Sequence, residues 1–460
     1  MSRKYFQTIS NPSRIAAVIL VMLAALALWT GPALAEKAQT PAGPIDMDQA
    51  IAMALGYSPN LTAAKEDLDR AKFQEKEAFT YFLPTLSTNY SLQKNQEPTI
   101  IRTTMGNFDL GDANTYRWST GLNQPVFTGF RLSSQYRLAE LGVDIAQVNV
   151  GLAKLDLVLA VKEAYFEYLR AQKSLEVAKQ AVVQLNSQLK VSQDFYDVGI
   201  IPINDVLKTK VELANQQQRE VVAQNEVDLS RARLSSLLGL RVEAALQVVD
   251  ILRYRPIKVE YIKARDQARV QRPELKSLSL QLEQADYSIQ EARSGYYPEI
   301  GLRASYDYTS DSPDMKESAA FDHTGWVVGA ELNWAFWEWG RTRDQVSQEQ
   351  ASRRKLVAVR QDLQDQVDLQ VKQAILSLVD SAKNIITAKT SIEQAKENYR
   401  ITMERYKEQL TTNTELLDAQ TLLTQAQNNY FTALSVYNVA EARLWRAMGL
   451  EGPAPQDEKQ

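Results

Sequence analysis

The strongest constraint on the fold of this chain is an uninterrupted helical pattern over residues 130–197. No proline occurs in it, and apolar side chains recur at the a and d positions of a heptad repeat. A single helix of this length would measure roughly 100 Å, whereas globular helices seldom exceed about 20 residues. The pattern therefore predicts an extended rod. Its a row is Leu138, Ile145, Leu152, Leu159 and Phe166, its d row is Leu141, Val148, Leu155 and Leu169, and Lys162 interrupts the seam.

The segment 1–35 has the organisation of a secretory signal peptide. Arg3, Lys4 and Arg14 form a basic region, and an apolar core and the small-residue site Ala33-Leu34-Ala35 follow it. A retained membrane anchor is the alternative, but about 15 apolar residues are short for a bilayer span. We expect cleavage, which would change the net charge from −4 to about −7, because the segment carries three positive charges and no negative one.

The remaining composition excludes several classes of protein. There is no cysteine, which excludes disulfides, thiolate metal sites and an acylated N-terminal cysteine. The single histidine, His323, leaves no histidine triad or two-histidine metal site, and we expect it to be exposed. Basic residues are dispersed among acidic ones, which does not favour nucleic acid as a partner. We therefore expect neither an enzyme nor a bound cofactor or metal.

The chain repeats one layout twice, as a helical arm, two strands, a long helix, a turn and a return helix. Two prolines separated by 25 residues bound each arm, Pro59 and Pro84 in the first copy and Pro273 and Pro298 in the second, at an offset of 214. After the strands the offset becomes 210, in the pairs Arg131 and Arg341, Tyr196 and Tyr406, Leu207 and Leu417, Gly239 and Gly449. We predict a first repeat over 36–240, an equatorial segment over 241–261, a second repeat over 262–450 and a tail over 451–460.

The elements predicted in each repeat have matching lengths. A return helix and an arm placed end to end equal one long helix, so the segments 36–47, 239–261 and 449–460 are expected to meet at mid-height as a belt. The polar links 94–114 and 311–322 are expected to be loops. The arms are predicted at 46–82 and 262–294, the strands at 85–94, 115–127, 299–310 and 323–336, the long helices at 130–197 and 340–407, and the return helices at 204–238 and 413–447.

Each predicted strand alternates between an apolar and a polar face, which fits a half-buried soluble sheet or a membrane barrel with a wet lumen. Tryptophans cluster in or beside the strands, and aromatic side chains are typical of the boundary between a barrel and lipid headgroups. Four strands cannot close a barrel, and an open edge cannot face lipid, so the membrane interpretation requires three copies and twelve strands. The predicted interface aromatics are Trp118, Trp326, Trp334, Trp337 and Trp339.

In this order, the motifs resemble the TolC family of outer-membrane efflux proteins. They are Gln124-Pro125-Val126-Phe127 before Gly129 and Arg131, and Tyr196-Asp197-Val198-Gly199 before Asp205-Val206-Leu207. The resemblance implies a homotrimer with an α and membrane-β fold, in which a 12-stranded barrel in outer-membrane lipid continues into an α-helical, coiled-coil barrel across the periplasm. It further implies an exit duct for multidrug efflux or type I secretion. The implied partners are a periplasmic adaptor (membrane fusion) protein and a proton-driven or ATP-driven transporter of the inner membrane.

The resemblance also implies a functional tip. It places the turns 198–203 and 408–412 at the periplasmic end, with Glu415 and Asp418 as the pore constriction. Glu415 also fits a capping box with Thr412, and acidic residues favour helix N-termini in any case. The residues implied in the gate turns and in adaptor contact are Tyr196, Gly199, Asp205, Tyr406 and Thr411, although Asp205 also fits a helix-dipole role.

One departure and one alternative remain. After Tyr406 the chain reads Lys407-Glu408-Gln409-Leu410 and lacks the glycine and arginine that the family often has there, which places an arginine-based lock in doubt. The alternative function is a soluble periplasmic coiled-coil scaffold or adaptor protein. It would account for the helices but not for the aromatic-rich strands. The residues do not define the cargo, because polar lumen side chains suit drugs, metal ions, polypeptides and polysaccharides alike.

Overall fold

A computed structural model describes residues 43–96, 99–104, 106–111, 114–310, 313 and 323–452. The predicted signal peptide, the end of the tail after 452 and most of the link 311–322 lie outside the described residues. Within the described residues no helix is long and apolar enough to cross a membrane.

In the part that the structure describes, the first repeat contains four helices and four strands. Its two helical rods run antiparallel, and its strands emerge from one end of them. In chain order the elements are α1 (Met47–Tyr57), α2 (Pro59–Thr80), β1 (Thr85–Lys94), β2 (Thr99–Thr103), β3 (Gly106–Gly111), β4 (Asn114–Thr128), α3 (Arg131–Asp197) and α4 (Ile203–Leu237).

The second repeat follows the same plan, with two strands among its described residues. A short 3₁₀ turn at Ser294–Tyr296 connects its arm to the first of them. The elements are α5 (Tyr261–Gln271), α6 (Pro273–Arg293), β5 (Glu299–Ser310), β6 (His323–Asn333), α7 (Arg341–Lys407) and α8 (Asn413–Ala447).

The structure differs from the sequence expectation in the two arms, which are each two helices rather than one. The breaks fall at Ser58 (φ −47°, ψ 117°) and Arg272 (φ −64°, ψ 122°). Both residues precede a proline, whose ring disfavours the helical conformation in the residue before it. The proline itself is accommodated as the first residue of the next helix, where its missing N–H costs nothing.

Two differences concern the strands. Strand β6 ends at Asn333 instead of continuing to 336. The link 94–114, expected to be a loop, contains the antiparallel hairpin of β2 and β3. Polar residues predominate in this link, and the short alternation of Phe108 and Leu110 with Asn107 and Asp109 was overlooked.

The long helices α3 and α7 are each 67 residues, and the return helices α4 and α8 are each 35 residues. In α3 the d-row residues Leu141, Leu155 and Leu169 are buried, whereas the a-row residue Leu138 is only half-buried. Lys162, which interrupts the seam, donates a hydrogen bond to the Glu451 carbonyl oxygen. Burial lowers the pKa of the Lys162 ammonium.

The four long strands form one antiparallel sheet in the order β1-β4-β5-β6. In the first hairpin Thr85 pairs with Asn123, and in the second Glu299 pairs with Asn333. Glu299 is equivalent to Thr85 at the offset of 214, and Asn333 is equivalent to Asn123 at the offset of 210. The two hairpins therefore have the same register. Strands β1 and β6 are the edges of the sheet, and neither has a second partner within the described chain.

One face of this sheet is apolar and exposed. Leu86 pairs with Leu122 across β1 and β4, and Tyr306 pairs with Trp326 across β5 and β6. The opposite face is polar and carries Arg117, Ser119, Ser305 and Asp307, with the Ser305 hydroxyl 2.9 Å from the Asp307 carboxylate. Exposed members of the apolar face are Leu86, Tyr90, Leu92, Trp118, Leu122, Leu302, Tyr306, Trp326, Val328 and Leu332.

The irregular segment after α4 packs around the middle of α3. The Tyr165 hydroxyl lies 3.0 Å from the carbonyl oxygen of Ile45 and 2.8 Å from that of Val249. The Ile45 N–H donates to the Gln247 carbonyl oxygen at 2.9 Å, and Lys154 forms an ion pair with Glu451 at 2.7 Å. The described parts of all three segments of the expected belt therefore lie against one stretch of α3.

Candidate functional site

The two interhelical turns lie at the end of the rods that is far from the sheet, and they have the same backbone conformation. The N–H of Ile200 donates to the carbonyl oxygen of Phe195 (2.8 Å), and the N–H of Leu410 donates to that of Arg405 (2.7 Å). Gly199 has φ 79° in the first turn and Gln409 has φ 59° in the second. The glycine missing from the second turn is therefore replaced by a glutamine in the same left-handed conformation, which costs about 1 kcal/mol for a residue with a Cβ.

The second turn also engages an arginine, although not at the position that the resemblance implied. Arg405 precedes Tyr406 and donates through its guanidinium to the carbonyl oxygen of Leu410 at 3.2 Å. This contact lies within one turn of one hairpin. It holds the turn closed on itself and does not connect α7 to another rod.

The two equivalent tyrosines have different environments. Tyr406 is 2% exposed, and its hydroxyl lies 2.9 Å from the Ser192 hydroxyl on α3. Burial raises the pKa of the Tyr406 phenol, and its ring contacts that of Phe195 at 5.8 Å. Tyr196 is 39% exposed. Tyr406 thus fixes α7 to α3, while Tyr196 presents its side chain outward.

A buried amide, Asn413, connects three helices at this end. Its Nδ2 donates to the Asp205 carbonyl oxygen and to the Thr209 hydroxyl on α4, both at 2.9 Å. Its Oδ1 accepts from Gln188 on α3 at 2.9 Å. Asn413 is 2% exposed, so these bonds are made away from water, where an unpaired amide is costly. The contacts fix the start of α8 against the first hairpin.

Glu415 and Asp418 lie on the exposed side of the first turns of α8. The Thr411 hydroxyl donates to the Glu415 carboxylate, and the Thr412 hydroxyl accepts from the Glu415 N–H at 3.2 Å. Half of the expected capping box is therefore formed. Asp418 has no hydrogen bond or ion pair with any described residue, whereas Asp205 is 3.8 Å from Lys208.

The acidic pair begins a stripe of exposed residues along α8, which we call the open stripe. Its members alternate in spacing between three and four residues, as one face of a coiled-coil helix does. Another face of α8 packs against the irregular segment, since the Tyr437 hydroxyl donates to the Arg255 carbonyl oxygen at 2.7 Å. The open stripe consists of Glu415, Asp418, Leu422, Gln425, Asn429, Thr432 and Val436.

The predicted interface aromatics fall into two groups at opposite ends of the sheet. Trp118 and Trp326 lie toward the end away from the helices, where the Trp118 ring contacts that of Tyr306 at 6.2 Å. From Trp326 to the end of β6 the strand rises roughly 23 Å at 3.3 Å per residue, and the second group starts there. Trp334, Trp337 and Trp339 form this group, next to α7, and all are exposed.

The structure therefore brings Asp205, Tyr406, Thr411 and Glu415 to one end of the molecule, together with Tyr196 and Gly199. The residues that join the rods at this end, which are Gln188, Ser192, Thr209 and Asn413, were missed by the sequence reasoning. Their only signal was a polar side chain in an otherwise apolar seam. That signal is weak until the partner helix is known.

Comparisons with known proteins agree on one family. The model of the family described as "Outer membrane efflux protein" matches residues 50–240 and 264–450, one range within each of the two predicted repeats. The alkaline protease secretion protein AprF of Pseudomonas aeruginosa is 25% identical over 403 residues, covering 85% of this chain and 82% of the relative. The outer membrane protein TolC of Vibrio cholerae is 25% identical over 299 residues, covering 62% and 67%.

Solved structures show the same fold at low sequence identity. The outer membrane protein VceC of Vibrio cholerae has a TM-score of 0.75 and 18% identity, over 88% of this chain and 96% of that one. The CmeC outer membrane channel of Campylobacter jejuni has a TM-score of 0.77 and 15% identity, over 92% of both chains.

Proposed function

The chain belongs to the outer membrane efflux protein family, and from that premise we propose that it is the outer-membrane exit duct of an export system, closed as a homotrimer. It conducts passively and performs no covalent chemistry. The sheet lies in the outer membrane, and the rods extend from it into the periplasm.

The observation that carries this proposal is the sheet. One of its faces exposes a continuous apolar surface between two groups of tryptophans, and the other is polar. A soluble protein seldom leaves so large an apolar surface uncovered, whereas lipid requires it. Three copies supply twelve strands and pair every β1 edge with a β6 edge, which leaves no unpaired edge in lipid.

The proposed partners are a periplasmic adaptor and an inner-membrane transporter. Relatives include a protein named for alkaline protease secretion and one named as the outer membrane component of a toluene efflux pump. Both names describe one component of a larger system. A duct without an energy source needs such a transporter, and the exposed side of the tip, including Tyr196, is the surface we assign to the adaptor.

We assign the pore constriction to Glu415 and Asp418. Both carboxylates are exposed at the far end of the rods, on the face of α8 that no other part of the described chain covers. In a trimer they would form a ring of six carboxylates. Such a ring attracts cations and repels anions.

The proposal is tested by the mass and the single-channel conductance of the detergent-purified protein. A trimer that conducts cations through a narrow resting pore is the expected result. A trimer with a large and steady conductance would keep the duct but contradict a closed tip. A water-soluble monomer without conductance would support the scaffold or adaptor alternative and overturn the proposal.

The acidic pair provides a sharper prediction. The double variant Glu415→Gln and Asp418→Asn removes the ring of charge while it keeps side-chain size, so cation preference and block by multivalent cations should weaken. The matched control is Asp194→Asn with Asp197→Asn, two exposed carboxylates at the same end of α3. Equal loss of selectivity in both variants, or none in either, would contradict the assigned constriction.

A further inference from the structure

The sheet contains one contact between the two repeats within the described residues, which we call the internal seam. It is formed where β4 of the first repeat pairs with β5 of the second, for example Leu122 with Ala304. At the helix end of this seam Arg131 forms an ion pair with Glu299 at 3.0 Å, and the Phe130 and Tyr297 rings lie 5.7 Å apart. The seam therefore has a strand part and a junction part.

The duplication predicts a second seam with the same layout between two copies of the chain. Strand β6 is the repeat of β4, at an offset of 210, and β1 is the repeat of β5, at an offset of 214. The two offsets are consistent with the observed register of the two hairpins. Adding 214 to Thr85 gives Glu299 and adding 210 to Asn123 gives Asn333, and these residues form pairs in the first and the second hairpin respectively. Applied to the pair Leu122 and Ala304, they place Leu332 of one copy opposite Tyr90 of the next.

The two seams differ at two neighbouring positions, because Gly129 and Phe130 of the internal seam correspond to Trp339 and Gly340. In the internal seam Gly129 (φ 62°) fits tightly, because a Cβ there would lie 2.6 Å from the Ser294 carbonyl oxygen and 2.9 Å from the Tyr297 Cβ. The equivalent residue is Trp339, which has the same left-handed backbone at φ 54°. A residue other than glycine is unfavourable in this conformation. Tryptophan, the largest side chain, therefore occupies position 339, whereas the equivalent residue, Gly129, has no side chain.

Trp339 has little to pack on within its own chain. It is 86% exposed, and the ring that contacts it is that of Trp337, at 5.6 Å. In the internal seam, Ser294 and Tyr297 lie against Gly129. At the offset of 214, the equivalent residues of the first repeat are Thr80 and Leu83. Leu83 belongs to an exposed apolar patch at the other edge of the sheet, formed with Phe79 and Phe82, whose rings lie 6.3 Å apart.

We propose that Trp339 is the contact between neighbouring copies at the periplasmic end of the barrel, with its indole seated on the Phe79, Phe82 and Leu83 patch of the next copy. Only the junction part of the seam between copies is then wider than in the internal seam, because the indole cannot make the close approach that Gly129 allows. This inference rests on the proposed homotrimer and adds its strand register and its junction contact. Aromatic surfaces on both edges, at the same height along the sheet, favour a second copy over lipid as the occupant.

The strand register is tested by disulfide formation, for which the absence of cysteine from the chain provides a clean background. Directly opposed residues of antiparallel strands have Cα atoms about 4.5–5.5 Å apart, within the range of a disulfide. The variant with Leu332→Cys and Tyr90→Cys should form linked dimers and trimers on oxidation. Within one copy these positions lie on opposite edges of the sheet. The row of Tyr90 reaches β6 at Thr324 instead of Leu332, so the two positions are roughly 30 Å apart at the usual strand spacing and rise.

The control pair is Leu332→Cys with Leu92→Cys, which uses the same sheet face but a position two residues away. A trimer that links through this pair instead would overturn the register and leave the proposed duct intact. A monomeric protein that links through neither pair would overturn both proposals.

The junction contact is tested with Trp339→Gly. Glycine relieves the left-handed backbone, so a side chain with only a local role would leave the trimer unchanged or more stable. Loss of a contact between copies should instead raise the dissociated fraction of the trimer in heated detergent by roughly tenfold or more, as expected of an interface tryptophan. Trp339→Phe should restore most of the stability, and Phe336→Gly, which removes another exposed aromatic of the same segment, should not reproduce the effect.

The alternative to a contact between copies is that the Trp339 indole faces lipid, and fluorescence quenching distinguishes the two. In vesicles of brominated phospholipid, a tryptophan that faces lipid is quenched. Under the proposal the quenched part of the fluorescence is the same in the unchanged protein and in Trp339→Phe. A clear decrease of that part in Trp339→Phe would place the indole in lipid and overturn the contact between copies.

Discussion

Among single residues, Asn413 has the largest number of consequences at the tip, since one buried amide satisfies groups on two other helices. Asn413→Ala should leave the amide of Gln188 and the hydroxyl of Thr209 without this partner, at about 1–3 kcal/mol for each buried group. We expect faster hydrogen exchange at the start of α8 and a larger resting conductance. The matched control is Asn429→Ala, an exposed amide on the same helix. Similar behaviour of both variants would contradict the role of Asn413.

A second residue, Glu274, predicts how the periplasmic part responds to acid. Burial would raise the pKa of this carboxyl, but hydrogen bonds from Arg272, from its own backbone and from Arg446 outweigh it and lower the pKa to about 2. Arg272 and Arg446 approach the Glu274 Oε1 at 2.8 Å and 2.9 Å. Since the folded pKa lies below the unfolded value of 4.5, the stabilisation is present above about pH 4.5 and is lost as the pH falls toward 2.

The contribution of Glu274 is on the order of 3 kcal/mol at neutral pH. Glu274→Gln should therefore lower the thermal unfolding temperature at pH 7 and flatten its decrease between pH 4.5 and pH 3. The control is Glu283→Gln, an exposed carboxylate on the same helix, which should keep the pH dependence of the unchanged protein. An unchanged pH profile in Glu274→Gln would contradict the assignment.

At the scale of elements, the ends of the two return helices show how the repeat is closed. Gly239 (φ 74°) and Gly449 (φ 78°) follow α4 and α8, and each packs on the break between the two helices of its own arm. A Cβ at Gly449 would lie 2.9 Å from the backbone carbon of Gln271, which cannot move aside easily. Gly199 has a similar φ of 79° but open space around it.

We therefore expect Gly449→Ala to be clearly more destabilising than Gly199→Ala. Gly199→Ala should cost only about 1 kcal/mol, for the left-handed backbone, whereas Gly449→Ala adds a collision with backbone atoms. Thermal unfolding of the two variants under the same conditions measures the difference. Equal decreases of the unfolding temperature in the two variants would contradict this expectation and would show that the backbone at Gln271 and Arg272 moves away from the new Cβ without cost.

The elements also show which parts of the structure were predictable from the sequence. The fold class was predicted and is confirmed, because heptad spacing, prolines and strand alternation are local signals. The break at Arg272 was not predicted, although Pro273 was noted, since the break depends on the residue before the proline. The left-handed Gln409 and the Asn413 contacts were also missed, because they depend on how the turn closes and which rod packs on which. The assignment of Glu415 and Asp418 to a constriction stays a prediction.

For the whole molecule, the orientation of the sheet decides the function. If the apolar face meets lipid and the polar face lines a lumen, adjacent positions on β6 must respond in opposite ways to a charge. Val328 is on the apolar face, paired with Ala304, and Val327 is on the polar face, paired with Ser305. Both valines are exposed within one copy, so the packing of the isolated chain does not distinguish them.

We expect Val328→Arg to reduce the yield of folded trimer in vesicles strongly, because a charged side chain on the lipid face of a barrel costs on the order of 2 kcal/mol between the midplane and the interface. Val327→Arg should be tolerated, since its side chain would point into water near Asp307. The measurement is the folded fraction of each variant by heat-dependent mobility in gels, after refolding into the same lipid. Equal yields for the two variants would mean that the faces are not divided between lipid and water. The sheet would then be a soluble one, and the rods would belong to a scaffold instead of a duct.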